Sequence, residues 1–100
     1  MVISLVRFKS GLTDEDVQAK FEARADAYES VPGLIEKLYM RYRTGDFGAV
    51  YVWEDEEALA AFRNSDLGSS IAGAYQVEGG HVVHEVADVT LVVRPSGGLR

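Results

Sequence analysis

Two histidines, a tyrosine–arginine pair and a set of aromatic side chains are the residues here whose types and spacing could do chemistry. His81 and His84 stand three apart in a strand-like segment. Alternate strand residues point to opposite faces, so the two rings cannot converge on one metal ion. There is no Cys, no His-x-His pair, and Glu85 beside His84 does not complete a ligand set. No metal site is therefore expected. A lone imidazole titrates near neutrality and suits a general base, and His84 is the candidate. Tyr39 and Arg41 lie two apart on one face of a strand. A phenol beside a guanidinium can orient a phenolate or a carboxylate, which makes Arg41 the second candidate catalytic residue. Phe21, Tyr39, Trp53, Phe62 and Ile71 are the candidate substrate-pocket residues, with Tyr51 and Tyr75 as further aromatics. Each has a plainer role open to it: core or dimer interface for the rings, an intersubunit ion pair for Arg41, a strand-end polar group for either His. No Gly-x-Ser-x-Gly, phosphate-cradling glycine loop or paired carboxylates on one strand is present, and Ser69-Ser70 has no histidine at a readable spacing. A hydrolase is not supported.

These residues need elements to position them. Val2 to Lys9 reads as a strand with apolar residues on both faces, ended by Ser10-Gly11. Thr13 fits a helix N-cap, with Asp14, Glu15 and Asp16 in the first turn, where carboxylates favour the positive end of the helix dipole. Val17, Phe21, Ala25 and Tyr28 recur at helical spacing and form one apolar stripe. Pro32-Gly33 breaks the chain before a strand over 34–44. On that strand Leu34, Leu38, Met40 and Tyr42 share one face, and Ile35, Lys37, Tyr39, Arg41 and Arg43 the other. Gly45-Asp46 turns into a third strand over 47–54, which should pair antiparallel with the second. Asp55 caps a second helix with the stripe Ala58, Leu59 and Phe62, continued by Leu67, Ile71 and Ala74. Gly79-Gly80 precedes a last strand over 81–93. The order is β-α-β-β-α-β, an α+β ferredoxin-like sandwich. Residues 1–94 make one domain and 95–100 a flexible tail.

The chain has 100 residues, 47% of them apolar, and a net charge of −6. An acidic chain argues against nucleic acid and anionic membrane as partners, since both need a cationic face. No signal peptide and no run of about 20 apolar residues is visible, and the absence of Cys fits a reducing compartment; the expected location is cytoplasmic. A four-stranded sheet with both helices on one face leaves the other bare. That face would carry large apolar groups, which predicts a homodimer packed sheet against sheet.

The tract from Pro32-Gly33, through Gly48-Ala49-Val50-Tyr51-Val52-Trp53 and Glu54-Asp55-Glu56-Glu57-Ala58-Leu59, to Val82–Val89 resembles the dimeric α/β-barrel superfamily. Within it, the YdhR-type and antibiotic-biosynthesis monooxygenases are the most similar. The resemblance implies a homodimeric α/β barrel with a small-molecule ligand between helices and sheet, lined by Phe21, Phe62 and Ile71. IsdG-type haem degraders in this superfamily carry an Asn, a Trp and a haem-ligating His where this sequence has Ser4, Phe62 and Ala72. Iron needs an axial donor that Ala72 cannot supply, so no haem and no other cofactor is expected. The function expected is cofactor-independent monooxygenation of a small aromatic or polyketide-like compound. A non-catalytic small-molecule-binding or stress-response protein, or an isomerase or cyclase of the same fold, are the alternatives.

Overall fold

The computed structural model describes residues 1–96. Its elements are β1 (Val2–Phe8), α1 (Asp14–Tyr28), β2 (Leu34–Arg41), β3 (Phe47–Trp53), α2 (Glu56–Arg63), the one-turn helices α3 (Asp66–Ser69) and α4 (Ile71–Ala74), and β4 (Val83–Asp88). One antiparallel sheet runs in the order β2-β3-β1-β4, the ferredoxin-like arrangement. Side chains set the helix starts. Thr13 accepts a hydrogen bond from the Asp16 amide, and Asp55 and Ser65 do the same for Ala58 and Gly68.

The helices cover one face of the sheet. Val2, Ser4, Val6 and Phe8 of β1 and Ala49, Tyr51 and Trp53 of β3 are buried there against Val17, Phe21 and Tyr28 of α1 and Leu59 and Phe62 of α2. Within this core the Trp53 indole N–H donates to Ser4 Oγ at 2.9 Å, which satisfies the one buried polar side chain of β1. Gly48 lets β3 lie close to β1, because a Cβ there would overlap the Val6 carbonyl oxygen. The opposite sheet face is uncovered in the single chain. Ile3, Leu5, Val50 and Val52 are half-buried, and Leu38 and Val83 are exposed.

Three details depart from the strand boundaries expected above. β2 stops at Arg41 rather than 44, because Tyr42 and Asp46 close the hairpin and Gly45 takes a φ of 100°. The register shifts between Leu34 and Glu36, so a bulge places Leu34 on the helix side and leaves Ile35 exposed. Leu34 therefore does not share a face with Leu38. β4 covers Val83–Asp88 rather than 81–93, since its sole neighbour β1 begins at Val2 and the last ladder bond runs from Val89 N to Met1 O. Of the tail read over 95–100, residues 97–100 lie outside the described residues.

Candidate functional site

The helix side of the sheet holds an aromatic cluster between α1, α4 and strands β1–β3. Phe21 stacks near Tyr39 with ring centres 4.5 Å apart and meets Tyr75 edge-on at 5.4 Å. Tyr28 stands 6.1 Å from Tyr51 and 5.8 Å from Phe62. These rings come together because α1 presents Phe21 and Tyr28 seven residues apart on one stripe, while Tyr39 and Tyr51 lie on the same side of β2 and β3. The space they leave between them is about 10 Å³, room for a single water.

Lys37 enters this cluster from β2, where it pairs with Tyr51. Its Nζ lies 3.2 Å from the centre of the Tyr28 ring, 4.1 Å from that of Tyr39 and 4.7 Å from that of Tyr51. Burial pulls the amine down from the usual lysine value of 10.5 to about 6, and the charge of Arg24 adds to the effect. The electron-rich ring faces favour the ammonium and act in the opposite direction, but desolvation is the larger effect. At neutral pH the site therefore holds a neutral amine beside phenols. Those phenols stay protonated: burial and neighbouring tyrosines raise Tyr39 and Tyr51, and burial pushes Tyr75 up to about 12 against the opposing Arg24 charge.

Two buried donors among the described residues have no partner, Tyr39 Oη and Arg24 Nε. Arg24 is otherwise anchored by a hydrogen bond to Ser70 Oγ at 3.0 Å and lies over the Tyr75 ring. An unsatisfied buried donor costs about 1–3 kcal/mol, and a water in the adjoining space of about 10 Å³ would meet one of these two.

The approach to the cluster is the seam between α1 and the edge strand β2. Two open grooves run along it. One, of about 270 Å³, is lined by Ala25, Tyr28, Leu34, Lys37 and Tyr39. The other, of about 480 Å³, is lined by Asp14, Gln18, Phe21, Tyr39, Arg41 and Phe47. Tyr28, Lys37 and Tyr39 line both the first groove and this space, so together they form the wall between them.

Of the residues singled out in the sequence, Phe21, Tyr39 and Ile71 line the small space. Trp53 and Phe62 stand behind it in the core, their rings 5.3 Å apart. Arg41 lies at the far end of the larger groove, exposed and ion-paired with Asp14 at 3.0 Å. His84 is across the sheet on β4, paired with Val6, with Nε2 2.9 Å from the Arg63 guanidinium. The structure does not bring His84 and Arg41 together. The residues that sequence reasoning passed over are Lys37 and Arg24. Both had a signal: Lys37 shares strand parity with Tyr39, and Arg24 stands three after Phe21 and four before Tyr28, inside the apolar stripe.

No family model matches the sequence, and no curated protein matches it. Solved structures do. SnoaB, a cofactor-independent oxygenase from Streptomyces nogalater, superposes with a TM-score of 0.72 at 17% identity, over 92% of this chain and 95% of that one. An antibiotic biosynthesis monooxygenase superposes at 0.70 and 10% identity, over 91% of this chain and all of that one. This is their fold. The haem degrader MhuD from Mycobacterium tuberculosis, seen with two haems in its active site, shares it too, at 0.70 and 23% identity over 93% and 99% of the chains.

That last likeness raises the question of a porphyrin here, and the residues present do not fit one. Ser4 is occupied by the Trp53 indole, Phe62 is packed among rings, and Ala72 packs against the core. The space of about 10 Å³ does not admit a macrocycle.

Proposed function

We propose that this chain is a cofactor-independent monooxygenase of a small phenolic or polyketide-like compound, working as a homodimer packed through its bare sheet faces in the cytoplasm. The observation that carries the reading is Lys37, a neutral amine among aromatic rings with the unpartnered Tyr39 hydroxyl and Arg24 Nε nearby. The likeness to SnoaB supports it. The substrate ring lies in the α1–β2 seam as Lys37 turns outward. The Lys37 amine, turned out to the seam, takes the phenol proton, and the phenolate beside it stabilises the resulting ammonium. Arg24 and Tyr39 donate to the phenolate oxygen. The phenolate passes an electron to molecular oxygen, the two radicals join at a ring carbon as a peroxide, and loss of that carbon's proton with cleavage of the O–O bond gives the carbonyl and releases water. A CH₂ and O₂ become C=O and H₂O, with all electrons drawn from the substrate. Oxygen uptake against a panel of hydroxyanthrones and hydroquinones tests this. Turnover of at least one ring is expected, reduced about 10²-fold by Lys37→Met and unchanged by His84→Ala. No uptake with any ring, or uptake indifferent to Lys37→Met, would refute it.

A further inference from the structure

We propose that Lys37 is also a nucleophilic lysine, which captures small aromatic aldehydes and ketones as imines at the α1–β2 seam. The proposal rests on the seam and not on the oxygen chemistry above. Lysines become nucleophiles at neutral pH when desolvated in an apolar pocket or set beside another cation. Both conditions are met here: Nζ is enclosed by the rings of Tyr28, Tyr39 and Tyr51, and Arg24 is the neighbouring cation. Position matters as much as state. Lys37 lines the small space and the open groove of about 270 Å³ together, so rotation about its flexible stem carries the amine to where a solute can reach it. The groove is lined by Ala25, Tyr28, Leu34, Ile35 and Tyr39 together with Glu29 and Glu36, so an uncharged flat ring suits it and an anionic solute does not.

The step balances without an oxidant. The Nζ lone pair forms the C–N bond to the carbonyl carbon while the C=O π pair moves to oxygen, and a proton passes from nitrogen to that oxygen. The Tyr39 hydroxyl, buried without a partner, donates to the carbinolamine oxygen as it leaves as water. The nitrogen lone pair then closes C=N. Amine and carbonyl become imine and water, and Tyr39 recovers its proton from the iminium nitrogen.

The chain carries its own controls, since Lys9 and Lys20 are its other two lysines and both are exposed. The protein is incubated at pH 7 with 4-hydroxybenzaldehyde and cyanoborohydride, which reduces an imine to a stable amine, and the adducts are placed by peptide mapping. An ordinary lysine is neutral in about one molecule in 10³–10⁴ at this pH, whereas Lys37 is mostly neutral. Lower basicity weakens the nucleophile and removes part of that advantage, leaving a preference of about tenfold. The expected result is labelling of Lys37 about tenfold over Lys9 and Lys20, at a rate that levels off above about pH 7. Propanal should label it more slowly than the aryl aldehyde. Equal labelling of all three lysines, or sparing of Lys37, would overturn the proposal, and equal rates for propanal would remove its aromatic preference. Mapping on the native chain decides the matter without any variant. Labelling without oxygen uptake would leave this inference standing and remove the oxygenase reading; uptake without labelling would do the reverse.

Discussion

Replacing Lys37 by Met should change how stability depends on pH, and the size of the change follows from the site. In the folded chain the amine titrates at about 6, and in the unfolded chain at the ordinary 10.5. Below pH 6 both states hold the proton, and above 10.5 neither does. Between those limits the unfolded state holds a proton that the folded state lacks, so raising the pH favours folding by about 1.4 kcal/mol per unit. The stabilisation is complete above the unfolded value and is lost as pH falls toward 6. Met has a similar length and no proton, so the variant lacks this slope while every other group titrates as before. Between pH 6.5 and 8.5 the native protein should gain about 2–3 kcal/mol relative to Lys37→Met. Urea unfolding at both pH values, at one protein concentration, measures this through the fluorescence of Trp53, the chain's single buried tryptophan. If the difference between the two proteins is the same at both pH values, Lys37 is not held neutral and the account of the site fails.

Phe21→Ala should cost about 3–5 kcal/mol, because the ring is 5% exposed and touches Tyr39, Phe47 and Tyr75, whereas Glu22→Ala on the outer face should stay within about 0.5 kcal/mol. Denaturant midpoints of the two variants check this. Leu38→Lys places a charge on the bare sheet face, where Leu38 is 44% exposed in the single chain. A dimer through that face, burying about 1,200 Å² or more in total, should loosen to a monomer by sedimentation without loss of the monomer's helical signal.

The element order, both long-helix caps and the apolar stripe of α1 were legible in the sequence because each rests on a local rule: Thr13 and Asp55 sit where an N-cap must, and Val17, Phe21 and Tyr28 repeat at helical spacing. The bulge at Leu34 was not, since it depends on how β2 meets Trp53 and Val52 rather than on its own residues. The length of β4 was hidden for the same reason, because it is limited by where β1 starts. At the site, Tyr39 could be found from strand parity. Lys37 shares that parity, but a charged residue on an edge strand reads as solvated, and only the tertiary placement of Tyr28 over it shows otherwise. Arg24 was obscured in the same way, since a charged residue on a helix reads as solvated even within an apolar stripe.

The place of β1 at the centre of the sheet sets a delay into the birth of this protein. β1 leaves the ribosome before either of its sheet neighbours, β3 and β4, the first of which begins at Phe47 and the second at Val83. Val2, Ile3, Leu5, Val6 and Phe8 thus emerge with neither edge paired and neither face covered. The β2–β3 hairpin can close on itself early, through Tyr42, Gly45 and Asp46, but it gains its third strand only by reaching back across the whole of α1. Closure of such a long loop is slow, and an unpaired apolar strand is sticky while it waits. The nascent chain should therefore need a chaperone's cover most between synthesis of α1 and release of β4, and a slowly translated stretch in that interval would lengthen its exposure.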